Sequence, residues 1–114
     1  MLVSMKSILD DANKNYYGVM SMNSINIEMV RGGIEAASEE HSPIIIQMGP
    51  GQIAKHAHLP EIVPVVKELA AKAPVPVALN LDHGSKLDDE IAAIHDAAPD
   101  VDLEVFSHGA ICFC

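Results

Sequence analysis

Long hydrophobic runs are missing from this 114-residue chain, and Ile44-Ile45-Ile46 is typical of its longest. A bilayer span needs about 20 apolar residues, so no transmembrane helix and no membrane partner are expected. The opening segment Met1–Asp11 carries acids where a secretory leader keeps an apolar centre, and no export signal is read there. Basic residues are also scarce. Seven Lys and Arg face sixteen Asp and Glu, for a formal net charge of −9 and a pI near 4.8. A phosphate backbone would be repelled by that field, so nucleic acid is not an expected partner. Cysteine is confined to Cys112 and Cys114, one residue apart, which is awkward for a mutual disulfide and builds no framework. A reducing, cytoplasmic setting follows from that usage. Internal repeats and low-complexity segments are absent as well.

The residues that are present form a core. Hydrophobic residues make up 49% and charged residues 20%, with a mean hydropathy of +0.20, which fits one folded domain and excludes a disordered tail. Helical and strand-like segments alternate. A lead-in helix is predicted over residues 4–14, capped by Ser4, with Ile8, Leu9 and Ala12 as its apolar stripe. Tyr16–Asn23 reads as a strand. Ile27, Val30, Ile34 and Ala37 then follow helical spacing, with Glu28 placed to favour the positive end of the helix dipole. Pro43–Met48 is a compact apolar strand whose two faces both need cover, as in parallel sheets. Gly49-Pro50-Gly51 reads as a loop. Ile62, Val65, Val66, Leu69 and Ala70 mark another helix, with either Pro60 or Pro64 at its first position. Val75–Asp82 is a third strand, Ser85 and Asp88 have capping-box spacing before a helix through Ala97, and Asp102–Phe106 reads as a fourth strand.

Strand starts about 25 to 32 residues apart suit successive βα units. This leaves a doubly wound sheet and a (β/α)8 barrel as candidates. No Gly-rich phosphate fingerprint follows the first strand, which weakens the nucleotide-binding version of the first. A full barrel takes about 250 residues, so this chain would make roughly half of one, with unpaired edges and an uncovered interior.

The sharpest local feature is Asn80-Leu81-Asp82-His83-Gly84. Parallel α/β folds gather reactive groups at the C-terminal ends of strands. There Asp82 can move protons, His83 can bind a metal through its imidazole, and Gly84 permits a sharp turn. Strict alternation sends Asp82 and His83 to opposite faces, so a shared site requires a twist or bulge at the strand end.

Read together, Met1–Asn15, Tyr17–Asn23, Asn26-Ile27-Glu28, Ser42–Gln47 and Val77–Gly84 resemble the class II fructose-bisphosphate aldolase family, which includes the tagatose-bisphosphate aldolases. The resemblance covers residues 1–97 and implies an α/β fold that is the first half of a TIM (β/α)8 barrel. It implies a zinc-dependent lyase of carbohydrate metabolism and glycolysis. Its substrate would be a ketose 1,6-bisphosphate, fructose or tagatose, cleaved to dihydroxyacetone phosphate and glyceraldehyde 3-phosphate. Asp82 matches the catalytic acid/base, His83 the first of three zinc histidines, and Asn23 a polar residue near the substrate. Negative charge left by carbon–carbon cleavage is of the kind that a divalent cation stabilises, and no lysine Schiff base is needed. Complete members are expected to be homo-oligomers.

Two departures stand out. Many members place a serine after Gln47, near the substrate phosphate; here the order is Met48-Gly49-Pro50, which leaves Gly49 and its neighbours to offer backbone N–H groups instead. The remaining zinc histidines and a proton-shuttling glutamate would come from beyond residue 114, so the chain alone is expected to be inactive. The tail, residues 98–114, is set apart. Glu104-Val105-Phe106-Ser107-His108-Gly109-Ala110-Ile111-Cys112 resembles the signature of the collagenase-like peptidase family, also associated with tRNA hydroxylation. Ser107-His108 can alternatively be a remnant of the aldolase's fourth strand. A chimeric reading frame or a non-catalytic fragment are the competing accounts. His56 and His58 read as solvated loop residues, His41 and His95 as helix-end or surface residues, and the methionines as core filling.

Overall fold

Helix α1 (Met5–Asn15) begins where Ser4 accepts a hydrogen bond from the Lys6 N–H, and it ends at Tyr16, whose left-handed conformation (φ 58°, ψ 47°) sends its N–H to the Ala12 carbonyl. The computed structural model describes residues 1–83, 96 and 104–106. That left-handed cap corrects the strand expected from Tyr16. The chain must first turn away from the helix, so β1 is only Met20–Asn23. Asn26 caps α2 (Ile27–Glu39) through the Met29 N–H, and Glu28 lies in its first turn. Strand β2 is Ile44–Met48.

Gly49-Pro50-Gly51 is not the expected loop. It opens a short helix, α3 (Pro50–Lys55), because Pro50 occupies a first-turn position that needs no N–H donor. Helix α4 (Leu59–Lys72) settles the choice of prolines: Pro60 lies in the first turn and Pro64 inside the helix. Pro64 is exposed, so the carbonyl it fails to serve can turn to water. Strands β3 (Val77–Asp82) and β4 (Glu104–Phe106) complete the described elements. Apart from Asp96, the expected helix from Ser85 to Ala97 lies outside the described residues, as do His95, Ser107-His108, Cys112, Cys114 and nearly all of the separate tail, residues 98–114.

All strand pairs are parallel, in the order β1-β2-β3-β4. A doubly wound sheet reverses its strand order. This sheet does not among its described strands, and sequential parallel strands alternating with helices are the build of a partial (β/α)8 barrel. Side-chain alternation gives the sheet two unlike faces. Ile44, Ile46, Met48, Val77, Leu79 and Leu81 enter one core with Val30 and Ile34 of α2 and Ile62, Val63 and Val66 of α4. On the other face Ile45 and Ala78 form a small cluster with Ile8 of α1. Backbone bonds fix the lead-in beside β3, with Val3 N–H to the Val77 carbonyl at 2.9 Å and Val77 N–H to the Met1 carbonyl at 3.0 Å. Helix α1 thus covers the end of this face where the strands begin and leaves the end where they finish.

Candidate functional site

Register places Asn23 of β1 beside Gln47 of β2, and Gln47 beside Asn80 of β3. Asp82 lies two residues beyond Asn80, on the same face. Polar side chains from three strands therefore meet where the strands finish. The Gln47 Nε2 amide donates to Asn23 Oδ1 at 3.2 Å and to Asp82 Oδ2 at 3.2 Å. Ser21 Oγ donates to Gln47 Oε1 from the other side. Asn80 is 6% exposed, and among the described residues its buried Oδ1 has no hydrogen-bond partner. A stranded buried carbonyl costs about 1–3 kcal/mol, a price tolerated here in a row of otherwise paired amides.

Asp82 and His83 meet as one site requires, and the cause is backbone geometry. His83 stands just past β3 with φ 55°, in the left-handed region. That kink ends the alternation and brings His83 Nε2 to 3.6 Å from Asp82 Oδ1, with the imidazole 56% and the carboxylate 22% exposed. At 3.6 Å the contact is electrostatic proximity without a formed hydrogen bond. A non-glycine residue held at positive φ is strained by about 1–2 kcal/mol, and such strain collects at functional sites.

Gly49 faces the same region. A Cβ built on it would stand 3.4 Å from the Asp82 carbonyl oxygen. Its N–H already donates to Gln52 Oε1 at 2.7 Å, so a ligand phosphate would have to displace that amide. As for a metal, His83 offers one accessible imidazole beside a carboxylate, which suits a single ligand position. Among the described residues no group of three His, Cys, Asp or Glu side chains could hold an ion, so a three-ligand site needs donors from elsewhere. His56 and His58 flank a different hollow of about 180 Å³, lined also by Asn26, Glu28, Glu61 and Ile62. They follow α3 and precede α4 as exposed residues, as expected of solvated positions. His41, also left-handed at φ 52°, is an exposed turn residue after α2.

Sequence reasoning passed over Gln47, Ser21 and Asn80 as members of this row. A signal for them existed. Ser21 and Asn23, Gln47, and Asn80 and Asp82 are polar residues spaced by two at the ends of three strands that are otherwise apolar. Among the described residues no helix is long and apolar enough to cross a membrane.

Comparison with known proteins bears on this arrangement. The family model described as fructose-bisphosphate aldolase class-II matches residues 3–107. A fructose-bisphosphate aldolase of Helicobacter pylori is 37% identical over 109 residues, covering 95% of this chain and 35% of that protein. A fructose-bisphosphate aldolase of Mycoplasma pneumoniae is 40% identical over 87 residues, covering 75% of this chain and 30% of its own length. The crystal structure of the YdjI aldolase from Escherichia coli K12 superposes with a TM-score of 0.77 at 31% identity, over 86% of this chain and 36% of that one. The chain thus spans about a third of the length of the relatives it matches.

Proposed function

Because this chain belongs to the class II fructose-bisphosphate aldolase family, we propose that it forms the leading part of a metal-dependent lyase that reversibly cleaves a ketose 1,6-bisphosphate, fructose or tagatose. The products would be dihydroxyacetone phosphate and glyceraldehyde 3-phosphate. The observation that most supports this reading is the kink at His83. It gathers an imidazole and a carboxylate, 3.6 Å apart, at the polar end of a parallel sheet.

In this reading Asp82 exchanges the proton of the hydroxyl at the carbon–carbon bond being broken. Its Oδ2 is held by the Gln47 amide, and its Oδ1, directed toward His83, remains free for that exchange. His83 would hold a divalent cation, zinc, together with ligands from outside the described residues, and the bound cation would supply positive charge against the developing negative charge. Asn23, fixed by the same Gln47 amide, presents its own N–H donors to substrate hydroxyls. Gly49 admits the substrate close to the end of β3 because it has no side chain there.

The test uses a chain extended to the full length of its relatives. It should cleave fructose or tagatose 1,6-bisphosphate and lose that activity to a chelator. Asp82→Asn should lower kcat by about 10²–10⁴-fold, the usual worth of a placed acid/base, with zinc still bound. His83→Ala should lose zinc. Undiminished cleavage and zinc binding after His83→Ala would end the proposal. The 114-residue chain alone should show no turnover.

A further inference from the structure

Among the described residues Gln47 is the one side chain that hydrogen-bonds both Asn23 and Asp82, and its amide can be inserted in two ways. With Nε2 toward them, two hydrogens meet two oxygens, at 3.2 Å each. Turned by 180°, Oε1 would face a carboxylate and a carbonyl oxygen, three acceptors without a proton among them. The chosen orientation leaves Oε1 pointing back along β1, where it needs a donor. Ser21 Oγ supplies one. Ser21 and Asn23 are both exposed, on the outermost described strand of the sheet, and Gln47 is half-buried. An unanchored glutamine at such a place keeps several rotamers, at a side-chain entropy cost whenever one is selected.

We propose that Ser21 is a positioning residue: its hydroxyl locks the Gln47 amide, which in turn fixes the Asp82 carboxylate with Oδ2 engaged and Oδ1 free. The inference rests on the reading of Asp82 as the proton-exchanging group. The described contact of Ser21 is with Gln47, and it acts through that amide. A hydroxyl suits the task because it rotates to meet an acceptor, and a side chain of this length on β1 reaches the amide without entering the mouth.

The experiment compares Ser21→Thr with Ser21→Val. Both are β-branched and suited to a strand, and they differ in the hydroxyl alone. The readout is solvent exchange of the two Gln47 side-chain amide protons, followed by NMR on the 15N-labelled chain without metal. Backbone amide shifts serve as the control for an intact sheet. Wild type and Ser21→Thr should exchange slowly, and Ser21→Val should exchange about two- to tenfold faster, the range expected for losing one hydrogen bond, with backbone shifts outside β1 and β2 unchanged. Equal exchange in all three, or a wild-type chain whose Gln47 protons exchange like those of a free glutamine, overturns the proposal. In a chain extended to the full length of its relatives, a zinc titration followed at the His83 ring separates the two readings. Zinc binding without a Ser21 effect defeats the lock alone, and a Ser21 effect without zinc binding at His83 defeats the aldolase site alone.

Discussion

Successive residues of β2 live in two unlike environments. Ile44, Ile46 and Met48 pass under α2 and α4 into a core where Ile46 is 0% exposed. Ile45 and Gln47 turn the other way. Ile45 is sealed by Ile8 of α1, but Gln47, two residues later, stands among Ser21, Asn23 and Asp82. The closed core and the polar row are thus separated by one step of strand parity, and the open face is itself divided into an apolar end and a polar end. A slip of one residue in the register of β2 would carry Ile45 and the Gln47 amide into the core and turn Ile44, Ile46 and Met48 out onto the open face. The same apolar alternation that holds the sheet together therefore aligns the polar row.

The widest break in that comparison should come from truncating each face in turn. Ile46→Ala removes a side chain from the closed face and should cost about 2–5 kcal/mol, as large-to-small core changes do. Gln47→Ala, its sequence neighbour, should cost about 0.5–1.5 kcal/mol, the net worth of a hydrogen-bonded group. Denaturant titrations of the two variants read the difference directly. Similar losses would mean that the polar row carries as much of the fold as the core does.

The closed face was the readily legible one. Period-3.6 stripes placed α1, α2 and α4, and the run through Ile46 placed β2, because burial on a helix or a two-sided strand leaves a repeating pattern in the residues themselves. The polar row was harder to see. Its hydrogen bonds join residues 21, 23, 47 and 82, and the partnership depends on register between strands, which no local pattern specifies. The shared position of Asp82 and His83 could be framed only as a condition, since alternation alone separates them; a left-handed residue resolves it, and histidine, though enriched at positive φ, adopts it too rarely to mark the kink in advance. Local chemistry misled in two places. Gly-Pro-Gly reads as a loop, yet proline is at ease in a first helical turn, and α3 starts there. Tyr16, an aromatic well suited to strands, instead closes α1 in a left-handed cap.

Those left-handed residues sharpen the contrast at the next level of magnitude. Tyr16 and His83 sit at φ 58° and 55°, one capping a helix and the other ending β3 in the polar mouth. Glycine bears no penalty at such angles, so Tyr16→Gly should stabilise the chain by about 1 kcal/mol. His83→Gly should gain a similar amount, and in both variants the unfolded-state entropy of glycine offsets part of the gain. In a chain extended to the full length of its relatives the two should part company in zinc titration, where Tyr16→Gly binds as wild type and His83→Gly does not. If His83→Gly lowered stability by more than about 1 kcal/mol, the kink would be a structural support and not strain held for a site.

The smallest effect concerns how α1 is kept over the open face. Tyr17, just past the cap of α1, donates its O–H to Asp11 Oδ2 at 2.6 Å. That bond, and behind it desolvation and the carboxylate charge, raises the phenol pKa above its ordinary value of 10.0. Folding therefore favours the protonated phenol. Below about pH 10 both folded and unfolded chains keep the proton, and the contact contributes in full. As pH rises from there through the raised value, the unfolded chain gives up its proton first, so stability falls over that window. Tyr17→Phe has no phenol to ionise. Urea midpoints at pH 8 and pH 11 should decline less for the phenylalanine variant than for wild type, by a small margin because the pair is exposed. Parallel declines would show that the Tyr17–Asp11 contact does not hold α1 in place, and that the apolar seal of Ile8 on Ile45 and Ala78 suffices to keep that end of the face closed.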